Sequence, residues 1–218
     1  MKGSYLGPEY SDQQIKLELD NFGAVYESYD QENIIEKTAK ILSDGKSVGW
    51  FQGKMEFGPR ALGNRSILAD PRSEIMQKNL NLKIKYRESF RPFAPSVLAD
   101  EVSKWFDYEE SSPYMLMVAN IKKEKRLDMS EDEKKLFGID KLNIKRSQVP
   151  AITHVDYSAR IQTVSKDDNY LYHKLISKFY EITGVPILVN TSFNIRGEPI
   201  VCSIEDAYRC FLTTELDF

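Results

Sequence analysis

Arginine and glycine recur through residues 52–72, QGKMEFGPRALGNRSILADPR. Arg60 and Arg65 carry permanently charged guanidinium groups, each able to hold a phosphate or carboxylate by two parallel hydrogen bonds. Glu56 would orient an arginine or accept a hydrogen bond from a substrate. Main-chain N–H groups can approach an anion closely at the three glycines, which are Gly53, Gly58 and Gly63. The chemistry indicated is anion binding, although a glycine-rich surface turn with arginines paired to surface acids explains the same spacing.

A second basic segment covers residues 85–96, KYRESFRPFAPS. Lys85, Arg87 and Arg91 lie within it, and Pro92 and Pro95 stiffen the backbone around them. A lysine combined with arginines suits a substrate with several phosphate oxygens, as in phosphoryl or nucleotidyl transfer. A solvated basic turn accounts equally well for this segment taken alone.

The third polar segment is HVDYSARIQTV, residues 154–164. His154 and Asp156 would share one face of a strand, and Arg160 would share a face with Gln162. A single histidine is more often structural than functional, so Arg160 is the stronger candidate.

The last polar segment is NTSFNIRGEP, residues 190–199. Its neutral donors and acceptors suit a carbamoyl amide, a ribose or a phosphate, and they are Asn190, Thr191, Ser192 and Asn194. A turn in which these side chains satisfy their own backbone remains an alternative.

Apolar periodicity predicts the elements that must position these segments. We expect helices from Ser11 to about Asn21, over 31–42, after a Ser73 cap, in VSKWF, over 168–183, and after a Ser203–Asp206 capping box. We expect strands at SVGWF, PSVLA, YMLMVANI and VPILVN, and one or two strands within residues 151–165. Alternation of strands and helices predicts an α/β fold, or α+β. Residues 1–10 are predicted to be an arm or linker, and residues 122–146 a charged, solvated excursion.

Composition limits the class of protein. The chain has 218 residues, 41% hydrophobic and 29% charged, which is enough for one sizeable core. A net charge of −3 gives no general field for nucleic acid, so an anion site must be built locally. Two cysteines and two histidines predict no disulfide framework and no metal cluster, and they fit a reducing cytoplasm. No stretch reaches the ~20 apolar residues of a membrane helix.

The four polar segments occur in an order that resembles the signature of the NodU/CmcH carbamoyltransferase C-terminal domain. The likeness spans nearly the whole chain, and it is most specific in QGKMEFGPRALGNRSILADPR and PILVNTSFNIRGEPIV. It implies a YrdC/Sua5-like twisted mixed sheet with helices and a concave basic site. It also implies binding of carbamoyl phosphate and ATP to form carbamoyl adenylate, with Mg²⁺ held mainly by the phosphates.

The same resemblance implies roles for individual residues. The phosphate-binding, catalytic cations would be Arg60, Lys85, Arg91 and Arg160. The substrate-binding residues would be Gln52, Gly53, Glu56, Gly58, Arg65, His154, Asp156, Asn190, Thr191, Ser192 and Asn194. A separate N-terminal, actin-like, metal-binding domain would then pass the carbamoyl group to a hydroxyl of a sugar or antibiotic.

Two departures from the family pattern matter. Tyr157 stands where the family usually has a small residue, often glycine, so it would narrow the pocket or stack on a base. The transfer domain is not in this sequence, so we expect an excised domain or a fragment that performs only the activation half-reaction. Two alternatives remain, a non-catalytic nucleotide- or anion-binding module that works with its partner domain, and an RNA-binding YrdC-like module.

Overall fold

The computed structural model describes residues 3–142 and 144–218. Its centre is a six-stranded sheet with the strand order β1-β2-β6-β3-β5-β4. Neighbouring strands are antiparallel, except that β3 and β5 are parallel. The mixed sheet with helices confirms the predicted α/β architecture. The strands are β1 Val48–Phe51, β2 Arg65–Ala69, β3 Ala94–Leu98, β4 Met117–Asn120, β5 Ser158–Val164 and β6 Ile187–Ser192.

Helices flank the sheet and connect its strands. They are α1 Asp12–Asn21, α2 Gln31–Ser43, α3 Met76–Asn79, α4 Val102–Trp105, α5 Glu131–Lys135, α6 Gly138–Leu142, α7 Tyr170–Thr183 and α8 Ile204–Leu212. Ser203 forms the predicted capping box at the start of α8, and Ser11 forms another at the start of α1. Gly184 ends α7 in the left-handed conformation. Within the described ranges, no helix has the length and apolar character needed to cross a membrane.

The core lies between the sheet and the helices. α2 and α7 pack against each other, with Leu42 of α2 and Leu175, Ile176 and Phe179 of α7 all fully buried. β2 and β3 are buried along their whole length. Each such apolar side chain contributes about 1.5–3 kcal/mol when it leaves water, so this layer fixes the central strands that carry the polar segments.

Two predicted local structures are wrong, for identifiable reasons. Ser73 does not cap α3, because the cap position is Ile75, without a side-chain bond, and Ser73 offers only its carbonyl to Met76 N–H at 3.4 Å. His154 and Asp156 do not share a strand face, because they lie in a turn that precedes β5. In that turn, the N–H of Tyr157 donates to the carbonyl of His154 at 3.0 Å.

Strand β4 is shorter than its apolar sequence predicts. Met115 has a φ of 55°, which breaks the extended backbone before Met117. β4 ends the sheet on one side, and its neighbourhood exposes Leu116 (69%), Met117 (48%) and Val118 (61%).

The predicted arm, of which residues 3–10 are described, lies along the first polar segment. Gly7 N–H donates to Met55 O at 2.9 Å, Met55 N–H donates to Pro8 O at 2.9 Å, and Phe57 N–H donates to Ser4 O at 2.7 Å. The arm therefore adds backbone pairing to residues 55–57. Whether it links two domains stays a prediction.

The excursion over residues 122–146, in which residue 143 is outside the described residues, contains the short helices α5 and α6. α5 has no buried residue, whereas Arg146 at the end of the excursion is buried. Arg146 donates to the carbonyl oxygens of Lys141 and Thr153, which ties the excursion to the core.

Candidate functional site

The sheet register brings three of the polar segments to one edge. Asn190 of β6 pairs with Ala94 of β3, and Ser96 of β3 pairs with Gln162 of β5. The carboxyl end of β6 therefore lies beside the amino ends of β3 and β5. Arg160 precedes Gln162 by two residues on the same strand face. This edge is where we locate the candidate site.

Three side chains form a buried polar network on the sheet. Asn190 Nδ2 donates to Ser96 Oγ at 3.0 Å and to Gln162 Oε1 at 2.9 Å, and Ser96 Oγ donates to Gln162 Oε1 at 2.6 Å. Asn190 Nδ2 also reaches the carbonyl of Ala61 at 3.2 Å. Among the described residues, Asn190 Oδ1 is buried without a hydrogen-bond partner. Buried polar atoms rarely stay unpaired, which makes this oxygen a candidate acceptor for a ligand.

Glu56 organises the first loop from inside. Its Oε1 accepts N–H donors from Leu62 at 2.6 Å, Asn64 at 2.8 Å and Arg65 at 3.4 Å. In the part of the chain that is described, Glu56 Oε2 has no hydrogen-bond partner. A buried carboxylate that accepts several backbone donors acts first on the shape of the loop.

Arg65 is fully buried in β2, and its guanidinium is surrounded by main-chain oxygens. It donates to the carbonyls of Gln52 at 2.7 Å, Gly53 at 3.2 Å and Pro8 at 3.1 Å. It also stacks on the ring of Phe51, with 3.6 Å between Cζ and the ring centroid. Burial lowers the pKa of Arg65. These contacts join the arm, the loop and the sheet; a ligand contact of Arg65 remains a prediction.

Gln52 belongs to a second amide network. Its Nε2 donates to Asn64 Oδ1 at 2.8 Å and to Asn169 Oδ1 at 2.9 Å, and its Oε1 accepts from Trp50 Nε1 at 2.7 Å. A cavity of about 560 Å³ between α1, α2 and β1 reaches Gln52 and Gly53.

Arg60 and Arg160 are close enough to influence each other. Arg60 is exposed, whereas Arg160 is half-buried, and its Nη2 faces Met115 Sδ at 3.8 Å. Burial lowers the pKa of Arg160, and the charge of Arg60 lowers it further. Two neighbouring cations repel each other in the absence of ligand, and an anion between them would relieve that repulsion.

Lys85 connects the second and fourth polar segments. Its buried Nζ donates to Ser192 O, to Ser192 Oγ at 3.3 Å, to Asn194 O at 3.0 Å and to Asn194 Oδ1 at 2.7 Å. Burial, and then the charge of Arg87, lower the pKa of Lys85 to about 7. The surrounding oxygens oppose this shift, because they stabilise the ammonium form.

Further cations belong to the same two segments as Lys85 and its partners. Arg91 Nε is 3.5 Å from Glu88 Oε2, and Arg196 Nη1 is 3.6 Å from Glu88 Oε1. Arg87 Nε donates to Asn81 Oδ1 at 2.6 Å and lies over the ring of Phe93. Arg196 was not predicted from the sequence. It stands inside NTSFNIRGEP, and its charge beside the neutral polar side chains was the available signal.

The turn before β5 is held by Asp156. Its Oδ1 accepts Ser158 N–H at 3.0 Å and Ser158 Oγ–H at 2.7 Å, and these bonds lower the pKa of Asp156. His154 Nδ1 lies 3.3 Å from Ser158 Oγ, and burial lowers the pKa of His154. Tyr157 has a φ of 65°, a conformation that glycine adopts without strain. Its ring lies under Arg126, 4.6 Å from Cζ to the centroid.

Five of the predicted residues fall into two groups. Lys85 is in direct contact with Ser192 and Asn194. Arg60 lies near Arg160. Gly58 has a φ of 135° and open space around it, and Thr191 lies on the opposite strand face from Asn190.

Comparison with known proteins identifies the family. The family model named "Carbamoyltransferase C-terminus" matches residues 39–218. The chain is 58% identical over its full length to the uncharacterized protein sll1178 of Synechocystis sp., of which it covers 36%. It is 43% identical over 98% of its length to the nodulation protein NolNO of Sinorhizobium fredii, of which it covers 29%.

A relative with a named activity is also similar. The 3'-hydroxymethylcephem-O-carbamoyltransferase of Streptomyces clavuligerus is 36% identical over 78% of this chain, which covers 28% of that enzyme. The chain therefore spans about a third of the length of these relatives. HypF from T. kodakarensis has a similar fold over 85% of this chain and 20% of its own, with a TM-score of 0.52 and 19% identity. The chain belongs to the carbamoyltransferase C-terminus family.

Proposed function

We propose that this domain binds carbamoyl phosphate and ATP and forms carbamoyl adenylate. One observation supports this most strongly. Lys85 and the Ser192–Asn194 turn, far apart in sequence, meet at the carboxyl end of β6, and Arg87 is close enough to influence the charge of Lys85. Two polyanionic substrates repel each other, and fixed cations offset that repulsion and stabilise charge on the leaving phosphates.

The proposed reaction also consumes one molecule of water. The phosphoryl group of carbamoyl phosphate passes to water and leaves as inorganic phosphate, which frees carbamate. A carbamate oxygen then attacks the α phosphorus of ATP, the bond to the β,γ-phosphates breaks, and pyrophosphate leaves. The residues assigned to the phosphates are Arg60, Lys85, Arg91 and Arg160. No side-chain nucleophile is needed.

Asn190 and Ser192 are assigned to the neutral parts of the substrates. The unpartnered Asn190 Oδ1 suits the NH₂ group of a carbamoyl unit. Magnesium would be bound mainly by the phosphates of ATP. In the described part of the chain, no three His, Cys, Asp or Glu side chains are grouped as metal ligands.

Transfer to the final acceptor is assigned to another region. Relatives of this chain are about three times longer, which leaves room for the expected N-terminal actin-like, metal-binding domain. That region would pass the carbamoyl group to a hydroxyl of a sugar or antibiotic.

Calorimetry with ATP, with carbamoyl phosphate and with both tests the proposal, together with release of pyrophosphate. We expect binding of each ligand, and pyrophosphate release that requires both. Binding without pyrophosphate release would favour a non-catalytic module that works with its partner domain. A folded sample that binds neither ligand would refute both readings.

A further inference from the structure

The carbonyl oxygen of Leu62 receives two side-chain donors from different parts of the chain. Tyr5 Oη donates to it at 3.0 Å, and Gln162 Nε2 donates to it at 2.9 Å. A carbonyl oxygen has two lone pairs, so these donors use its full accepting capacity. The N–H of the same residue donates to Glu56 at 2.6 Å. Side chains therefore bind both the carbonyl and the N–H of Leu62.

This residue lies two positions after Arg60. Between them, the Ala61 carbonyl accepts from Asn190 Nδ2 at 3.2 Å. The backbone that carries Arg60 is thus attached to β6 through Asn190, to β5 through Gln162 and to the arm through Tyr5. Because these bonds fix the backbone of Arg60, less conformational entropy is lost when its guanidinium binds an anion.

Gln162 also contacts the neighbouring strands of the candidate site. It is buried to 2% exposure, and its Oε1 accepts from Asn190 and Ser96. It follows Arg160 by two residues on the same face of β5. The side chain of Leu62 packs with Met115, whose sulfur faces Arg160. One amide therefore joins the strand that carries Arg160 to the loop that carries Arg60.

We infer that Tyr5 and Gln162 are positioning residues, which act through the Leu62 carbonyl to hold Arg60 beside Arg160. The inference rests on the proposed function, because it gives Arg60 a phosphate to bind. Neither residue needs to touch the ligand. It also gives the arm a part in the site, although the family model begins only at residue 39.

The first test is a double-mutant cycle on ligand affinity. Gln162→Met keeps the volume and removes both hydrogen-bonding groups. We expect it to weaken ATP binding about three- to tenfold, because the lost bond to the Leu62 carbonyl contributes in that range. ATP is the ligand for this test because Asn190, which also bonds to Gln162, is assigned to the carbamoyl unit. In an Arg60→Ala background the same change should have less than about a twofold effect, because Gln162 acts through Arg60. Equal losses in both backgrounds would overturn the inference.

Thr163→Val is the matched control. Thr163 is the next residue on β5, is buried, and accepts Ser112 N–H at 2.7 Å on the opposite strand face. It loses one buried hydrogen bond on the same strand without touching the loop. We expect a lower melting temperature but unchanged affinity.

A second test needs no ligand. Hydrogen exchange of the amides of Leu62, Gly63 and Asn64 should become faster in Gln162→Met and in Tyr5→Phe, and should not change in Thr163→Val. Tyr5→Phe removes a single oxygen, so it tests the contact if Gln162→Met does not fold. Unchanged exchange in both variants would overturn the positioning role. A wild-type chain that binds neither ligand would refute the proposed function, and the exchange result would still decide the role of Tyr5 and Gln162.

Discussion

Arg60 and Arg65 occupy one loop and differ completely in their surroundings. Arg60 is exposed beside Arg160, whereas Arg65 is buried among backbone carbonyls and the ring of Phe51. An exposed guanidinium can exchange water for a phosphate at little cost. The buried Arg65 already donates to several carbonyls, and removing it would leave them unsatisfied.

Arg60→Ala is expected to reduce affinity for ATP or carbamoyl phosphate about tenfold or more, because a charge-assisted hydrogen bond is lost. The melting temperature should change little, since Arg60 is exposed. Titration calorimetry and thermal unfolding measure the two effects. Arg209→Ala, an exposed arginine on α8, is the control and should leave affinity unchanged. A collapse of the melting temperature with intact affinity would make Arg60 structural.

Lys85 gives the site a pH dependence. Its pKa is about 7 in the folded protein without ligand, against an ordinary value of 10.5. An anion beside the ammonium favours the charged form and raises the pKa again. Binding of an anion near neutral pH should therefore take up a proton.

Sulfate is a suitable probe, because its charge does not change between neutral and mildly alkaline pH. We expect sulfate to bind more weakly as pH rises through about 7, since Lys85 loses its proton over this range. In Lys85→Met, affinity should be lower at acidic pH and nearly independent of pH. An unchanged pH profile in this variant would contradict the assignment.

Residue types indicated an anion site, yet they did not separate binding residues from supporting ones. Lys85 contacts the polar turn 190–194, and Arg60 lies near Arg160, whereas a shared role of the four cations in one site stays a prediction. The burial of Arg65 and Glu56 was not predictable, because it depends on the arm folding over the loop. The role of Tyr157 was also hidden, since its positive φ and its contact with Arg126 arise from the turn and the excursion.

At the scale of elements, the loop between β1 and β2 depends on close packing with α7. Gly63 has a φ of 110°, and a Cβ there would lie 2.2 Å from the Tyr172 ring. Gly58 has a φ of 135° with nothing within 4 Å of an added Cβ. Substitutions at these two glycines therefore distinguish the energetic cost of steric contact from the cost of backbone strain.

Gly63→Ala should lower the free energy of unfolding by about 3 kcal/mol or more, because strain and overpacking add. Gly58→Ala should cost about 1–2 kcal/mol, from strain alone. Urea unfolding measures both values. Equal losses in the two variants would show that Tyr172 yields to the added methyl group.

Long periodic elements were the predictable part of the fold. α2, α7, β1, β3 and β6 lie close to their expected positions, because apolar spacing reports burial directly. Short polar turns were not predictable. The residues before β5 alternate like a strand, but Asp156 satisfies the backbone locally and closes a turn. Ser73 looked like a cap and makes no side-chain cap bond.

At the scale of the whole molecule, this chain corresponds to about a third of its relatives. The site edge is assembled within the chain, from β3, β5, β6 and the loops beside them. The activation step we propose therefore has its candidate residues here, whereas an acceptor site is assigned to the remaining length of the relatives.

Separation of the two steps can be measured directly. The chain alone should release pyrophosphate from ATP when carbamoyl phosphate is present, and should not carbamoylate an added hydroxyl acceptor. Mass spectrometry of the acceptor measures carbamoylation. Carbamoylated acceptor from the chain alone would show that both steps occur in this domain.

The exposed apolar side chains at the start of β4 have a consequence for handling the protein. Asp107 N–H pairs with Asn120 O at the end of β4, and the start of the strand exposes Met117 and Val118 next to Leu116. The start of this outer strand is a template for pairing with the same strand of another molecule. We expect concentrated samples to form reversible dimers and, on storage, aggregates seeded at this edge. Leu116→Lys, a charge beside the exposed strand, should keep the protein monomeric in sedimentation experiments across a concentration series.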